Sequence, residues 1–511
     1  MLYVSLIIEA LRARPALMFW IAALAQALLW ALVPTLFYSA PPGDVPLVLA
    51  IGHEWRIGSA FGPPMAYWLA EAVFDLAGHR ASAIYLLSQI CVIITFWAVF
   101  ALGRSIVGAR HAVMAVLLMA GVTAFSMPTP EFGPSVLAMP LTALAFLHYW
   151  RAVGQNRRRY WFALGLDLGL LALTTYAGLI VVALIALFTI ATGRGRAQLN
   201  LIEPWAAGLI VVAMLLPYAI SAVRADEIAW PTMSGLLSAL VDKGHLMAWL
   251  GLLAWLLFAH AGLIALAVVA GGLRVGPRTP APAFERTPLT PFAKEFVYYF
   301  ALAPAVTGTL LAVMAERAAP IGGGGALIVL SALAVIVAAG DVIRLHRQRS
   351  IGVVWLLLLV VPPGIVIATA AALPWTLAIE IETNQPSAAM AEFFTDSFRR
   401  RTGKPLAIVV GDARIAGLVA LASADRPSLS LDPEPELTPW VSEAAIRDHG
   451  AVLLWPASDP SGMPPASIKA RFPDLVAEVP RSFEHPVQGR LALTRIGWAM
   501  IRPQAEARAP N

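Results

Sequence analysis

Between residues 16 and 375 the chain repeats one pattern: an apolar run, a short polar connection, then another apolar run. Crossing about 30 Å of hydrocarbon takes roughly 20 apolar residues in a helix. Runs of that length, or somewhat shorter, occupy residues 16–38, 82–103, 112–127, 134–150, 161–176, 178–192, 205–223, 246–271, 296–314, 325–342 and 352–375. Lipid offers no hydrogen bonds to a backbone, so each run is expected to be a helix. With 59% hydrophobic and only 13% charged residues over 511 positions, a soluble fold of this chain would leave much of its apolar surface in water. A polytopic α-helical membrane protein with about eleven spans is the expectation. The third to sixth runs are short, which fits tilted helices or helices that line a cavity. The N-terminal MLYVSLIIEALRARPAL leads into an apolar run too long for a signal-peptide core and without a small-residue cleavage site, so a retained first helix is expected.

The net charge of +5 does not point to nucleic acid, because the arginines sit in short clusters between apolar runs rather than on one face. They orient the chain in a membrane. One set of connections carries seventeen basic residues, from Arg12 and Arg14 through Arg157–Arg159 to Arg349; the other carries five, Arg56, Arg80, Arg224, Lys243 and Arg317. The richer set is expected in the cytoplasm. An odd number of spans then leaves the C-terminal region on the outer side, with the first loop. Cys91, the single cysteine, lies inside an apolar run, so neither an internal disulfide nor a thiolate zinc site is available.

After Trp375 the pattern changes. Helical and strand periodicities alternate: a helix near 386–402 ending at Gly403, a strand 405–412, a helix near 413–424, the strand SLSLD, a helix near 439–449, the strand GAVLLWP, a helix near 465–475 and a last strand LALTRIGWAMI. This predicts an α/β domain with a mostly parallel sheet. Gly411-Asp412 ends a strand and opens a helix without a glycine-rich phosphate motif around it, and reads as a structural turn.

The first external loop, 39–80, is too polar to cross a bilayer and too apolar for an ordinary connection. It predicts two short interfacial helices. Asp44 follows Pro41-Pro42-Gly43 and opens the first of them, where an acid serves either as a helix cap or as an acid-base group. His53 and Glu54 point in different directions on a helix, so a metal site needs a further acid such as Asp44 or Glu131. Glu71 and Asp75, four apart on one helical face, are expected to be solvated. Asp167, inside a short apolar run, is either a functional residue or a group near the arginine-rich end of its helix.

Several elements occur in an order that resembles the bacterial PMT_2 group of GT-C glycosyltransferases. They are Asp44, then Phe61-Gly62-Pro63-Pro64-Met65, Arg80, Thr129-Pro130-Glu131, and Gly169-Leu170-Leu171-Ala172-Leu173-Thr174-Thr175-Tyr176. That group includes protein O-mannosyltransferases, lipid A aminoarabinose transferases and rhizobial core galacturonosyltransferases. The chain departs from the group's pattern at Val45, Gly62, Glu131 and Thr175, which stand where the group has an acid, a His, an Asp and a Lys.

The resemblance implies a GT-C transmembrane domain over 1–379, with interfacial helices in a periplasmic loop at 39–81, and a periplasmic α/β domain over 380–511. It implies inverting transfer of a sugar from a polyprenyl-phosphate donor to a lipid or envelope-glycan acceptor at the inner membrane. In that reading Asp44 is the base and Glu131 a second catalytic acid; Arg56, Arg80, Arg224 and Lys243 meet the donor phosphate; His53, Glu54, Pro63, Pro64 and Tyr176 line the cavity. A divalent metal ion is left open, and membrane lipids are partners. Two other classes compete. A transporter or lipid flippase would show repeated halves and mid-membrane ionisable residues, and no repeat is detected. A catalytically degenerate scaffold would use the C-terminal domain to recruit an envelope partner.

Overall fold

The computed structural model describes residues 2–224, 243–271, 282–345, 347–457 and 462–504; the side chains of residues 2–7 and of Lys243 are not part of that description. The chain forms two compact units, one of Met1–Leu32 with Ile84–Gly364, the other of Val33–Ala83 with Ile365–Asn511.

The first unit is helical, and apolar helices occupy all eleven expected runs. Among the described residues six are long and apolar enough to cross a membrane: Pro15–Phe37, Ala81–Ile106, Pro134–Gly154, Glu203–Arg224, Pro291–Met314 and Gln348–Thr376. The pair Gly244–Ala259 and Ala261–Gly271 is bent by 56°, and four shorter helices are Ala109–Met119, Tyr160–Ala172, Ala177–Ala191 and Gly324–Ala338. The fourth run is longer than expected because a π turn, Trp150–Gly154, prolongs Pro134–Tyr149. The tenth is shorter, since Gly322 and Gly323 (φ +86° and +79°) hold it off at one end and Gly340 (φ +94°) closes it at the other.

Aromatic packing holds part of this unit. Tyr149, Phe188, Phe292, Phe296 and Phe300 come from three helices and meet ring to ring, with Phe296 and Phe300 centroids 5.0 Å apart. Such pairs add about 0.5–1.5 kcal/mol each beyond burial. Gly262 lets two backbones touch: Leu263 N donates to Gly121 O at 3.0 Å, and a Cβ on Gly262 would lie 2.5 Å from that same oxygen. Asp167 lies 2.5 Å from His148 Nδ1, and the His148 ring stacks on Tyr160, over which Arg151 and Arg159 lie. The acid lies near the middle of its helix, Tyr160–Ala172, and has its partner in His148.

In the second unit, α1 (Val45–His53) and α2 (Met65–Leu76) form the first loop. The C-terminal segment adds α3 (Ser387–Thr402), β1 (Ile408–Gly411), α4 (Ile415–Ala422), β2 (Ser428–Leu431), α5 (Glu443–His449), β3 (Ala451–Pro456), α6 (Ala466–Arg471), β4 (Arg481–Phe483) and β5 (Thr494–Ile501). Local chemistry sets the helix ends. Gly403 closes α3 in the left-handed region (φ +69°) after Arg399–Arg401, and Ser442 caps α5 by accepting from Ala445 N.

The sheet order is β2-β1-β3-β5-β4. β1 runs parallel to β2 and β3, whereas β5 is antiparallel to β3 and β4. The sheet is therefore mixed rather than mostly parallel. No crossover helix separates β4 from β5, so the chain returns as a hairpin-like edge. β1 is buried along its whole length, as expected for a strand covered on both faces. One face packs Val409, Val452 and Leu454 against Phe394, Phe398 and Leu418; the other packs Ile408, Val410 and Leu453 against Ile446 and Ile468.

The first of those cores also contains Ala40 and Ala50 of the first loop, with Leu47 and Phe61 packed at its margin. The first loop and the C-terminal segment thus share one hydrophobic core. In the helical unit, Gly262→Val is expected to lose about 1–3 kcal/mol through forced separation of the two backbones, read as a lower thermal midpoint of the detergent-purified chain.

Candidate functional site

Asp44 stands at the head of α1 with φ −84° and ψ 4°, and its exposed side chain makes no capping hydrogen bond. Its carboxylate is not spent on the helix. The turn before it is held from outside: Arg414 Nη1 donates to Pro41 O at 2.9 Å and Gly43 O at 3.0 Å. Gly43 takes φ +49°, a conformation that suits glycine.

The rest of the loop is shaped by the contact of α1 with α2. A Cβ on Gly52 would lie 2.4 Å from Tyr67 O, so only glycine allows this approach. The break between the helices contains Gly62 at φ +118° and the buried Pro63 and Pro64, the last of which sits at the N-cap of α2. Glu54 caps the C-terminal end of α1 by position, with Oε1 buried and unbonded. Trp55 follows in the left-handed region (φ +49°), and Trp55, Arg56 and Ile57 are all exposed. Arg80 is exposed just before Ala81–Ile106.

Glu71 departs from its expected setting. It is fully buried, and Arg426 Nη2 donates to both carboxylate oxygens, at 2.6 and 2.8 Å. His53 Nδ1 lies 3.0 Å from Oε1 on the other side. Arg426 also lies over the Phe74 ring, 5.0 Å from its centroid. Burial pushes the Glu71 carboxyl up, but the hydrogen bonds from His53 and Arg426 together with their charge outweigh it, and the net shift is downward from 4.5. Asp75, by contrast, is exposed and pairs with His79 at 3.1 Å.

In the Gly411-Asp412 turn, Asp412 Oδ1 accepts from Arg414 N and Ile415 N, both at 2.8 Å, at the start of α4, while its buried Oδ2 has no partner. Arg414 and Arg426 themselves were not legible. They come from turns at the two ends of α4, and their acceptors lie 373 and 355 residues away in sequence. The only local signal was the neighbouring Gly411-Asp412 turn.

The other sequence-derived candidates belong to the helical unit. Glu131 is exposed in the turn that follows Thr129, whose buried hydroxyl accepts from Gln89 Nε2 at 3.0 Å. The Tyr176 hydroxyl lies 2.8 Å from that of Tyr218. Thr175 is buried and accepts from Ala177 N at 3.3 Å. Arg224 ends its helix exposed, and the Lys243 side chain lies outside the described residues. Asp44, His53, Glu54, Arg56, Pro63, Pro64 and Arg80 all belong to the second unit. Among the described residues no group of three or more His, Cys, Asp or Glu is placed to hold a metal ion.

The apolar helices long enough to cross a bilayer define a multi-pass membrane protein, and its fold is similar to that of the GT-C glycosyltransferases. The PMT_2 family model, described as dolichyl-phosphate-mannose-protein mannosyltransferase, matches residues 62–220, where most of the resembling motifs lie. ArnT from Cupriavidus metallidurans bound to undecaprenyl phosphate is similar in structure, with a TM-score of 0.56 at 13% identity, over 97% of this chain and 99% of that one. The oligosaccharyltransferase AglB from Archaeoglobus fulgidus, in complex with an inhibitory peptide and a dolichol-phosphate, gives a TM-score of 0.43 at 13% identity over 86% of this chain and 69% of that one. No curated protein sequence matches the chain.

Arg426→Ala leaves a buried carboxylate with one partner fewer, and a loss of about 3–5 kcal/mol is expected, read by thermal unfolding in detergent. The pH dependence follows from the lowered Glu71 pKa. Its contribution is fully present above the unfolded value, near 4.5, and is lost as pH falls through the lower folded value. Glu71→Gln is expected to remove that part of the acid destabilisation, checked by melting the two proteins across the acid range.

Proposed function

We propose that the chain is an inverting membrane glycosyltransferase. It moves a sugar from a polyprenyl-phosphate donor to a hydroxyl of a lipid or envelope glycan, on the periplasmic face of a bacterial inner membrane, with its N-terminus in the cytoplasm. The membrane character, the GT-C fold and the PMT_2 match support the class. The ArnT structure was obtained with undecaprenyl phosphate bound, which supports a donor of that lipid class here.

The observation that carries the mechanism is Asp44: an exposed carboxylate, free of capping duty, on a fastened turn. In the proposed step the acceptor oxygen bonds to the anomeric carbon as the bond from that carbon to the phosphate oxygen breaks. The acceptor proton passes to Asp44, and the electron pair leaves with the polyprenyl phosphate. Arg56 and Arg80, exposed in the same loop, are proposed to meet the leaving phosphate, where a guanidinium binds as a fork. His53, Glu54, Pro63 and Pro64 shape that loop. Glu131, Tyr176, Arg224 and Lys243 are further candidates, each resting on its sequence position. No step is routed through a metal ion.

The test is transfer of radiolabelled sugar from a panel of polyprenyl-phosphate sugars to envelope lipids, using membranes that contain the wild-type chain or Asp44→Asn. The mutant is expected to lose about 10²–10⁴-fold in rate, the usual worth of a positioned base. Unchanged transfer would move the base elsewhere, with Glu131 the next residue to replace. No transfer from any donor would contradict the enzyme reading and favour the scaffold or the transporter.

A further inference from the structure

We infer that Arg414 is a positioning residue for the reaction: from the C-terminal segment it fixes the backbone on which Asp44 is presented. This inference rests on the reading of Asp44 as the base. Arg414 stands at the N-cap of α4, anchored from behind because its own backbone N–H donates to Asp412 Oδ1 at 2.8 Å. Its guanidinium is then divided between two segments, residues 41–43 and 382–385. Nη1 donates to the carbonyls of Pro41 and Gly43, Nη2 to Glu382 O at 2.6 Å, and Nε to Gln385 Oε1 at 2.8 Å.

The two carbonyls on Nη1 flank Pro42 and belong to the turn that ends at Asp44. Neither Pro41 nor Pro42 has a backbone N–H, so the turn has few donors with which to hold itself. Val45 N to Pro42 O, at 3.3 Å, is a long bond. Gly43 adds freedom rather than restraint. The Arg414 fork therefore supplies the restraint that the turn's own composition lacks. α4 is seated against α1, with Gly417 of that helix packed beside Pro46, where a Cβ would stand at ordinary contact distance, 3.4 Å from Pro46 Cβ. Asp44 thus extends an exposed carboxylate from a backbone held on both sides: by Arg414 before it and by the packing of α1 on α4 after it.

A lysine in place of Arg414 keeps the charge but has one nitrogen and cannot reach four acceptors in separate directions. The role is geometric, so the predicted defect lies in turnover rather than in donor binding. A base displaced by about 1 Å costs on the order of 10²-fold.

The experiment uses the full chain purified in detergent, with Asp44→Asn, Arg414→Lys, Arg414→Ala and, as a control, Arg399→Ala, which removes an exposed pair with Asp425 on the same segment. Two quantities are read: sugar transfer from the active donor of the panel, as kcat and KM, and hydrogen–deuterium exchange of the peptide covering residues 43–50 beside the peptide covering β3. The expected result is a fall in kcat of about 10–100-fold in Arg414→Ala and a smaller fall in Arg414→Lys, on the scale of a 1 Å misplacement. Donor KM should stay within about twofold. Exchange should quicken in 43–50 and not in β3, with the control unchanged in both. If Asp44→Asn is inactive while both Arg414 variants keep full kcat, the positioning role is overturned and the base reading stands. If the Arg414 variants lose activity with equal loosening of β3, their defect is general unfolding, which also overturns the role. If Asp44→Asn stays active, the base reading fails and the inference falls with it.

Discussion

The first loop has no core of its own, and that constraint governs everything proposed about Asp44. Helices of nine and twelve residues are too short to persist alone in water. α1 enters through Ala50, with Leu47 at the margin, the same apolar cluster as Phe394, Phe398 and Leu418 of the C-terminal segment, and α2 packs closely on α1 at Gly52 and Tyr67. Two arginines then fix what burial leaves adjustable. Arg426 locks α2 through the buried Glu71, and Arg414 locks the turn ahead of α1. Burying a carboxylate is costly unless it is fully bonded, and Glu71 is bonded on both oxygens. Segments more than 350 residues apart in sequence therefore form one structural unit.

This arrangement gives the C-terminal segment a role that its composition did not reveal. Its sequence has no glycine-rich loop, and its described residues form no cluster of metal ligands; its sheet instead presents α4, with Arg414 before it and Arg426 after it. Both side chains reach back to the first loop. A carboxylate that must accept a proton at a defined place benefits from such a frame, because reorganisation is avoided during the reaction. The exposure of Asp44 and the fastening of its backbone are complementary. One gives access and the other gives aim.

How far the sequence could be read depended on how local the cause was. The apolar helices were legible because lipid permits little else, and all eleven runs contain one. The ends of α3 and α5 were legible because Gly403 and Ser442 act on their own helices. The sheet was read as mostly parallel because direction is not written in a strand's pattern; the three-residue β4 was too short to register and the reversal at β5 went with it. Glu71 and Asp75 look alike in sequence, four apart on one amphipathic helix. Asp75 is solvated as expected and Glu71 is not, since its partner stands in a distant turn that no local rule connects to it.

The same distinction applies to the candidate site. Asp44 was found from its place after Pro-Pro-Gly and from family resemblance, and the structure adds that its carboxylate does not cap the helix. Arg56 and Arg80 were found as outer-loop cations and are exposed. The central claim is that this loop receives the lipid-linked phosphate. The most direct measurement is photo-crosslinking with a polyprenyl phosphate bearing a photoactivatable group beside the phosphate, followed by mapping of the labelled peptides. The account predicts saturable labelling within residues 39–80, displaced by excess unlabelled polyprenyl phosphate and weakened by Arg56→Ala or Arg80→Ala. Saturable labelling that avoids this loop, or labelling there that no competitor displaces, would contradict it.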